Sequence, residues 1–263
     1  MKFVKIHLFL VFFLLAFSAN LKAANQDPVE ISASEALEWD RKKGTYTAKK
    51  DVVVMQGDIK INSDFLVASY AESNGMTDVS HIEAQGNVTI SSPPYVAYGD
   101  SAVYNVKTGN AVLTGKALTV TTDNDVMTAE DKVEFFKDKN ILVATGNPTI
   151  KHALDTIKAK KMVAYFKLDK SGKMIAERIT ATGGVVVSTP RETASGDKAI
   201  YYVIKKTASL IGNVKIKQGK NLLEGTRADV NLVTGMSNIL GNHTADDGQR
   251  VKGVFYPIVK KEQ

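Results

Sequence analysis

Chemistry, if this chain performs any, should start from its carboxylates. Asp100, Asp131 and Asp197 recur at one position of a repeated pattern, each next to or near a glycine. Three carboxylates in register could form an acid pair or a ladder of calcium ligands. Repetition at a corner beside glycine argues instead for hydrogen bonds to turn backbone. Asp123-Asn124-Asp125 resembles the start of a calcium loop but lacks its glycine and distant glutamate, so it reads as a turn. His7, His81, His152 and His243 fall in different segments with no ligand-spaced neighbour, and no metal site is expected. There is no Gly-x-Ser-x-Gly elbow and no phosphate-cradling loop. Lys158, Lys160, Lys161, Lys205 and Lys206 could meet phosphates at a rim, but they fit solvated, edge-protecting positions better. No catalytic residue and no cofactor is expected.

The residues that repeat most faithfully are apolar. A phrase led by glycine, with apolar residues at alternate places, occurs at Gly57-Asp58-Ile59-Lys60-Ile61, Gly86-Asn87-Val88-Thr89-Ile90 and Gly212-Asn213-Val214-Lys215-Ile216. It returns at Gly146-Asn147-Pro148-Thr149-Ile150 and Gly183-Gly184-Val185-Val186-Val187. Gly115 opens a version with one extra residue, and Gly241-Asn242-His243-Thr244 is a fading copy. Successive glycines are 29, 29, 31, 37, 29 and 29 residues apart. A fixed period of this size signals a stacked repeat. Ile82, Leu142, Ile179 and Leu210 precede their glycines on the same alternation, and Leu113 precedes Gly115. Apolar period two gives strands with one dry face.

A second phrase precedes several of these glycines, as in Gly99-Asp100-Ser101-Ala102-Val103-Tyr104 and Gly196-Asp197-Lys198-Ala199-Ile200-Tyr201. Within it the apolar positions change parity, from Ala97 and Gly99 to Ala102 and Tyr104. A one-residue slip would expose the dry face unless a bulge restores it, so the spacing predicts a bend at Gly-Asp. Turn residues such as Lys107-Thr108-Gly109-Asn110 join the two phrases into hairpins. Val29 to Trp39 fits a first strand pair, and Gln249 to Pro257 a closing strand. The expected fold is all-β: a repeat-built antiparallel jellyroll or solenoid of two facing sheets, about 14–16 strands in all. At about 4.8 Å per strand such a body would be about 35 Å long.

The leader sets the compartment. Lys2 and Lys5 precede an apolar run from Ile6 to Phe17, and small residues follow up to Ala24, which reads as a secretory signal peptide over residues 1–23. An uncleaved leader would instead anchor the chain in the inner membrane. Residues 24–263 read as one elongated body, or as two consecutive modules of about 29–150 and 151–257. The net charge of +6 falls once the leader goes: 34 basic residues less Lys2, Lys5 and Lys22 leave 31 against 28 acidic ones. That balance, without a basic stripe interleaved with aromatics, gives no footprint for nucleic acid. The absence of cysteine excludes disulfides and thiolate chemistry.

The leader, the Gly-Asp-x-Ala-x-Tyr phrases at Gly99–Tyr104 and Gly196–Tyr201, and the Gly-x-Val-x-Ile phrases together resemble the OstA/LptA family of periplasmic lipopolysaccharide-transport proteins. Ile82 to Val88, Ile179 to Val185 and Arg250 to Val254 with Pro257 carry the resemblance along residues 29–257. The resemblance implies a V-shaped β-jellyroll whose apolar interior holds lipopolysaccharide acyl chains. It also implies head-to-tail stacking across the periplasm with like-fold inner- and outer-membrane proteins and room in the same stack for further copies of itself. The array here is longer than that of the usual soluble member.

On this reading the interior residues Ile59, Ile61, Ile82, Val88, Ile90, Leu113, Leu142, Ile150, Ile179, Val185, Val187, Leu210, Val214 and Ile216 are the expected lipid contacts. Alternation alone is equally compatible with a filled core, although small residues such as Ala84, Gly86, Ala181 and Gly183 favour a groove. Unpaired strand edges at the two ends, near Val29 and Ile31 and near Val251 and Val254, would be docking surfaces. A structural β-solenoid without lipid cargo would share the repeats. A polysaccharide-cleaving solenoid would need clustered acids that do not stand out.

Overall fold

The structure is a computed structural model that describes residues 27–73, 76–93, 95–122, 124–170, 174–241 and 250–256. The leader, the end of the fading repeat with His243, and the last residues of the chain lie outside these. Twenty strands follow one another, and no described residue is helical. Six open the chain: β1 (Glu30–Ser32), β2 (Ala36–Asp40), β3 (Thr45–Gln56), β4 (Ile59–Ser73), β5 (Met76–Ser92) and β6 (Tyr95–Asn105). Eight shorter ones form the middle: β7 (Asn110–Thr114), β8 (Leu118–Thr121), β9 (Asp125–Ala129), β10 (Lys132–Phe136), β11 (Ile141–Thr145), β12 (Thr149–His152), β13 (Asp155–Lys158) and β14 (Lys161–Leu168). Six close it: β15 (Met174–Ser188), β16 (Thr193–Tyr202), β17 (Thr207–Gln218), β18 (Asn221–Asn231), β19 (Ser237–Leu240) and β20 (Lys252–Val254).

Besides slips between Ser69 and Tyr70 and between Tyr165 and Phe166, the long strands break register at mid-length. The ladder skips between Lys49 and Val52, Asn62 and Phe65, Gln85 and Val88, Thr182 and Val185, Ser195 and Lys198, and Ile211 and Val214. Each skip is a corner, so one strand contributes a segment to each of two sheets. In the first sheet the antiparallel order runs β2, β3, β4, β5, β6, β7, β10, β11, β14, β15, β16, β17, β18, β19. In the second it runs β1, β3, β4, β5, β6, β8, β9, β12, β13, β15, β16, β17, β18, β20. The fold class is the expected all-β jellyroll, but each sheet is fourteen segments wide rather than seven or eight. Every 29-residue unit makes two passes, and each pass crosses both sheets. At about 4.8 Å per strand the body is then about 60 Å long, not 35 Å. Nor do the first two strands pair with each other: β1 and β2 both lie on β3, one in each sheet.

The corners explain the glycines. Gly86-Asn87, Gly146-Asn147 and Gly212-Asn213 put two consecutive residues at positive φ, with Asn87 at 46°, Asn147 at 52° and Asn213 at 45°. Glycine adopts this region freely and asparagine better than most residues. A two-residue detour keeps parity, so Leu210, Val214 and Ile216 all face inward and are buried. The acids of the neighbouring pass lock the corner. Asp64 accepts from the Asn87 side-chain amide at 2.7 Å, Asp197 from that of Asn213 at 2.8 Å, and Glu130 from that of Asn147 at 2.8 Å. Only Asp100 accepts from turn backbone as expected, from the Lys116 N–H at 2.9 Å. Asp197→Ala should therefore cost about 1 kcal/mol, read as a lower urea midpoint with unchanged slope.

Because every pass turns at this seam, the backbone ladder joins the two sheets along one side. On the other side lie hairpin tips, and among the described residues no strand pairing bridges the sheets there. The cross-section is a V whose inner faces carry the core.

Candidate functional site

The inner faces of the V are lined by alternate residues of both sheets. Of the fourteen expected interior residues, all but Ile59 and Ile90 are buried, and those two pack on the core from its margin. The set divides by depth. Val88, Val185 and Val214 follow the corner residues directly and are at most 1% exposed, so they fill the apex. Ile150, Ile179, Val187, Leu210 and Ile216 border an open space between the sheets. Ile59, Ile61, Ile82, Val88, Ile90, Leu113, Leu142, Val185 and Val214 do not line that space.

This space is an apolar cavity of about 60 Å³ in the C-terminal half. Met162, Ala181, Ala199, Tyr201, Ala208 and Ala228 on the first sheet face Ile157 and Ala194 on the second. Its width comes from alanine: Ala199 pairs with Leu210 and Tyr201 with Ala208 in the ladder, so large side chains alternate with small ones. A water occupies roughly 10–15 Å³ on this scale, so the cavity takes a short stretch of one hydrocarbon chain. The second-phrase residues Ala199 and Tyr201 carried the signal for these walls, through the same period-two alternation as the glycine-led phrase.

Besides Ser209, whose hydroxyl donates to Asp229, two polar side chains border this apolar space. Tyr201 is buried, and desolvation raises its pKa. Glu192 sits at the β15–β16 hairpin tip. Its main chain is pinned by Thr189, whose N–H donates to the Glu192 carbonyl at 2.9 Å and whose Oγ1 accepts the Glu192 N–H at 3.2 Å. Burial against the cavity walls pushes the Glu192 carboxyl above the ordinary glutamate range. The folded protein therefore holds this proton more tightly than the unfolded chain does. Stability should fall as pH rises from the ordinary glutamate value through the raised one, and stay level beyond it. Glu192→Gln should melt higher than the parent at pH 8 and alike at pH 4, in paired thermal scans.

Elsewhere the mouth is tied by side chains. In the N-terminal half the Tyr104 hydroxyl on the first sheet donates to Gln56 Oε1, at a tip of the second, over 3.3 Å. At the tips of the second sheet His152 Nδ1 lies 2.6 Å from the buried Asp125 carboxylate. That pairing spans two hairpins and was invisible in the spacing of the histidines. Of Asp123-Asn124-Asp125, Asp123 lies outside the described residues, Asn124 sits at a bend and Asp125 opens β9, its N–H donating to Thr122 Oγ1 at 3.0 Å. Among the described residues no group of three or more His, Cys, Asp or Glu could hold a metal ion.

The ends of the body carry four single-sided strands. Ile31 lies in β1 and Val254 in β20, the edges of the second sheet, while Val29 and Val251 flank them. The first sheet ends in β2 and β19, which the sequence reading did not assign as edges. On β2, Leu37 and Trp39 share the inward face with Ala48 and Tyr46 of β3, yet are 54% and 48% exposed because no strand lies beyond them. Trp39 stacks on Tyr46 with ring centroids 5.8 Å apart, and Tyr46 meets Tyr70 at 5.0 Å.

The protein is thus an all-β jellyroll with an apolar cavity between its two sheets and single-sided strands at both ends. The family described as LptA/(LptD N-terminal domain) LPS transport protein matches this chain twice, over residues 30–133 and 129–236. The chain belongs to that family: it is a lipopolysaccharide-transport protein and not an enzyme. Among solved structures it is similar to LptH of Pseudomonas aeruginosa, described as the LptA homologous periplasmic component of the conserved lipopolysaccharide transport device. Identity is 19%, covering 51% of this chain and 95% of that one, with a TM-score of 0.41. No curated protein matches.

Proposed function

We propose that this chain is a periplasmic carrier that shields lipopolysaccharide acyl chains between its two sheets and passes them from inner to outer membrane along like-fold partners docked at its ends. The observation that carries this is the apolar cavity in a V whose sheets are laddered along one seam only. Its volume accommodates part of one chain, and the side without strand pairing lets the sheets spread to take more. Each methylene moved from water into such a space gains roughly 0.8 kcal/mol, so retention requires no chemistry. At both ends unpaired N–H and C=O rows invite a partner's strand, and inward-facing Leu37 and Trp39 would continue the apolar path into it. Two consecutive family modules, fused into an unbroken ladder, account for the length.

A photo-crosslinking residue tests this directly. Placed at Ile216 or Val187, on the cavity wall, it should yield lipopolysaccharide adducts in cells. Placed at outward-facing Lys215 it should yield none, and at apex-filling Val214 few. Adducts at Lys215 with none at Ile216 would put the lipid outside the V and end the carrier reading. Secretion by a cleaved leader is checked by N-terminal sequencing of the exported protein, with an intact Met1 indicating an inner-membrane anchor instead.

A further inference from the structure

The outer face of the first sheet carries a groove that the carrier reading does not use. It lies over β17, β18 and β19 beside the β16–β17 and β18–β19 turns. It measures about 540 Å³, within the roughly 300–1,000 Å³ usual for small-molecule sites. The ladder brings its walls together: Tyr202 pairs with Thr207 and Thr207 with Asn231, while Asp229 lies between Ser209 and Asn238. All have the parity opposite to buried Ala208, Leu210 and Val230, so they face away from the cavity.

Three kinds of group meet in this groove. Tyr202, 37% exposed, offers an aromatic surface, and the Lys205 ammonium stands 5.6 Å from its ring centroid. Arg227 Nε donates to both Asp229 carboxylate oxygens, at 2.9 and 2.7 Å, and Ser209 Oγ donates to Asp229 at 2.5 Å. The acid of the groove is therefore already paired, and these bonds, that of Arg227 most of all, keep its carboxyl below the ordinary aspartate range. Charge on this face is lopsided. On the three outer ladder rows from β14 to β19, Lys161, Arg178, Lys198 and Arg227 stand against Asp229 alone. The same rows of β2 to β6 carry Glu38, Asp40 and Glu83 against Lys49 and His81. A basic outer face is thus no requirement of the fold, and the half that has one also holds the groove.

We propose that this groove is a second binding site, for a sugar that carries a phosphate. Tyr202 lies against a C–H face of the ring, Lys205 and Arg227 take the phosphate, and Thr207 and Asn238 hydrogen-bond the hydroxyls. A sugar presents both apolar C–H faces and hydroxyls, which match an aromatic ring beside amide and hydroxyl side chains. A guanidinium has five N–H donors, so Arg227 can hold Asp229 and Ser209 and still donate to an anion. The basic rows around the groove raise the local concentration of such a ligand. This site does not depend on the carrier reading. Yet Ala208, Ser209 and Val230 border both the groove and the apolar cavity, which lie on opposite faces of β17 and β18. The sugar is therefore either a free saccharide or the head of a lipid whose chains lie between the sheets and which bends over the hairpin tips.

The test is titration of the full chain with glucose 6-phosphate, glucose and inorganic phosphate, followed by backbone amide shifts in NMR spectra. Glucose 6-phosphate should bind roughly tenfold or more tightly than either other probe, because it alone engages both parts of the groove. Tyr202→Ser should weaken glucose and glucose 6-phosphate alike, several-fold. Lys205→Gln should cut the preference for glucose 6-phosphate several-fold and leave glucose unchanged. Lys151→Gln, an exposed lysine of the second sheet, should change neither. Thermal melts of the three variants check folding. Phosphate binding as tightly as glucose 6-phosphate would overturn the proposal. So would a loss no greater in Lys205→Gln than in Lys151→Gln, or a sugar phosphate that does not bind; none of these touches the carrier reading. A photo-crosslinking residue at Asn238 then separates the two sources in cells. Lipopolysaccharide adducts make the sugar the head of the cargo, and lipid-free saccharide adducts make it a separate ligand. Adducts to protein alone, or none, would overturn the site.

Discussion

Replacing Gly146 with valine is expected to unfold the middle of the body, whereas Gly184→Ala should be tolerated. Both glycines sit at corners with positive φ, 82° and 76°. A Cβ on Gly146 would run into the backbone nitrogen and side chain of Asp131 on the adjacent pass. Backbone cannot step aside without breaking the seam, where Asp131 N–H donates to the Thr145 carbonyl. Valine adds the cost of a β-branched residue in this region, and the two effects together should exceed about 4 kcal/mol. Around Gly184 no atom lies within 4 Å of an added Cβ, so alanine there costs the conformational term alone, about 1 kcal/mol. Urea titrations of the two variants separate these values. Similar midpoints would show that the corners are not held by close approach of neighbouring passes.

The second large effect concerns the ends. Trp39 is the only tryptophan in the chain, and it lies half-exposed on edge strand β2. Docking of a like-fold end should bury it, giving blue-shifted emission as protein concentration rises. A variant with Ile31→Lys and Leu37→Lys, and one with Val254→Lys and Leu240→Lys, should each stay monomeric in sedimentation. Mixed, they should halt at dimers, because each retains one working end. This follows from a heterologous contact, in which unlike surfaces meet and growth stays open. A parent that remains monomeric at high concentration, its Trp39 emission unmoved, would exclude head-to-tail self-association for this chain.

Much of this architecture could be read from residue order because two signals coincide. Period-two apolar runs mark strands, and the glycine-led phrases mark the places where those strands turn. The expected bend at Gly99-Asp100 and Gly196-Asp197 is the corner of β6 and β16. What escaped was how one strand divides. The alternating run from Leu210 to Ile216 reads as a single strand, but the two-residue detour at Gly212-Asn213 turns it into two sheet segments, which doubles the width of each sheet. Depth in the V was hidden for the same reason. Val214 and Ile216 have the same parity, yet one closes the apex and the other borders the cavity, because distance from the corner decides. Glu192 and the Asp125–His152 pair were beyond reach, since hairpin tips meet by tertiary packing and carry no periodic mark.

The seam also has a consequence for reach. Each pass depends on its two neighbours and on one locked corner, much as a zip fastener depends on adjacent teeth. Lengthening or shortening such an object by whole repeats moves its ends apart or together in steps of roughly two strand spacings, about 10 Å. Neither end face need be redrawn when this happens. The distance a carrier of this kind spans is thus set by how often one short paragraph of sequence is copied.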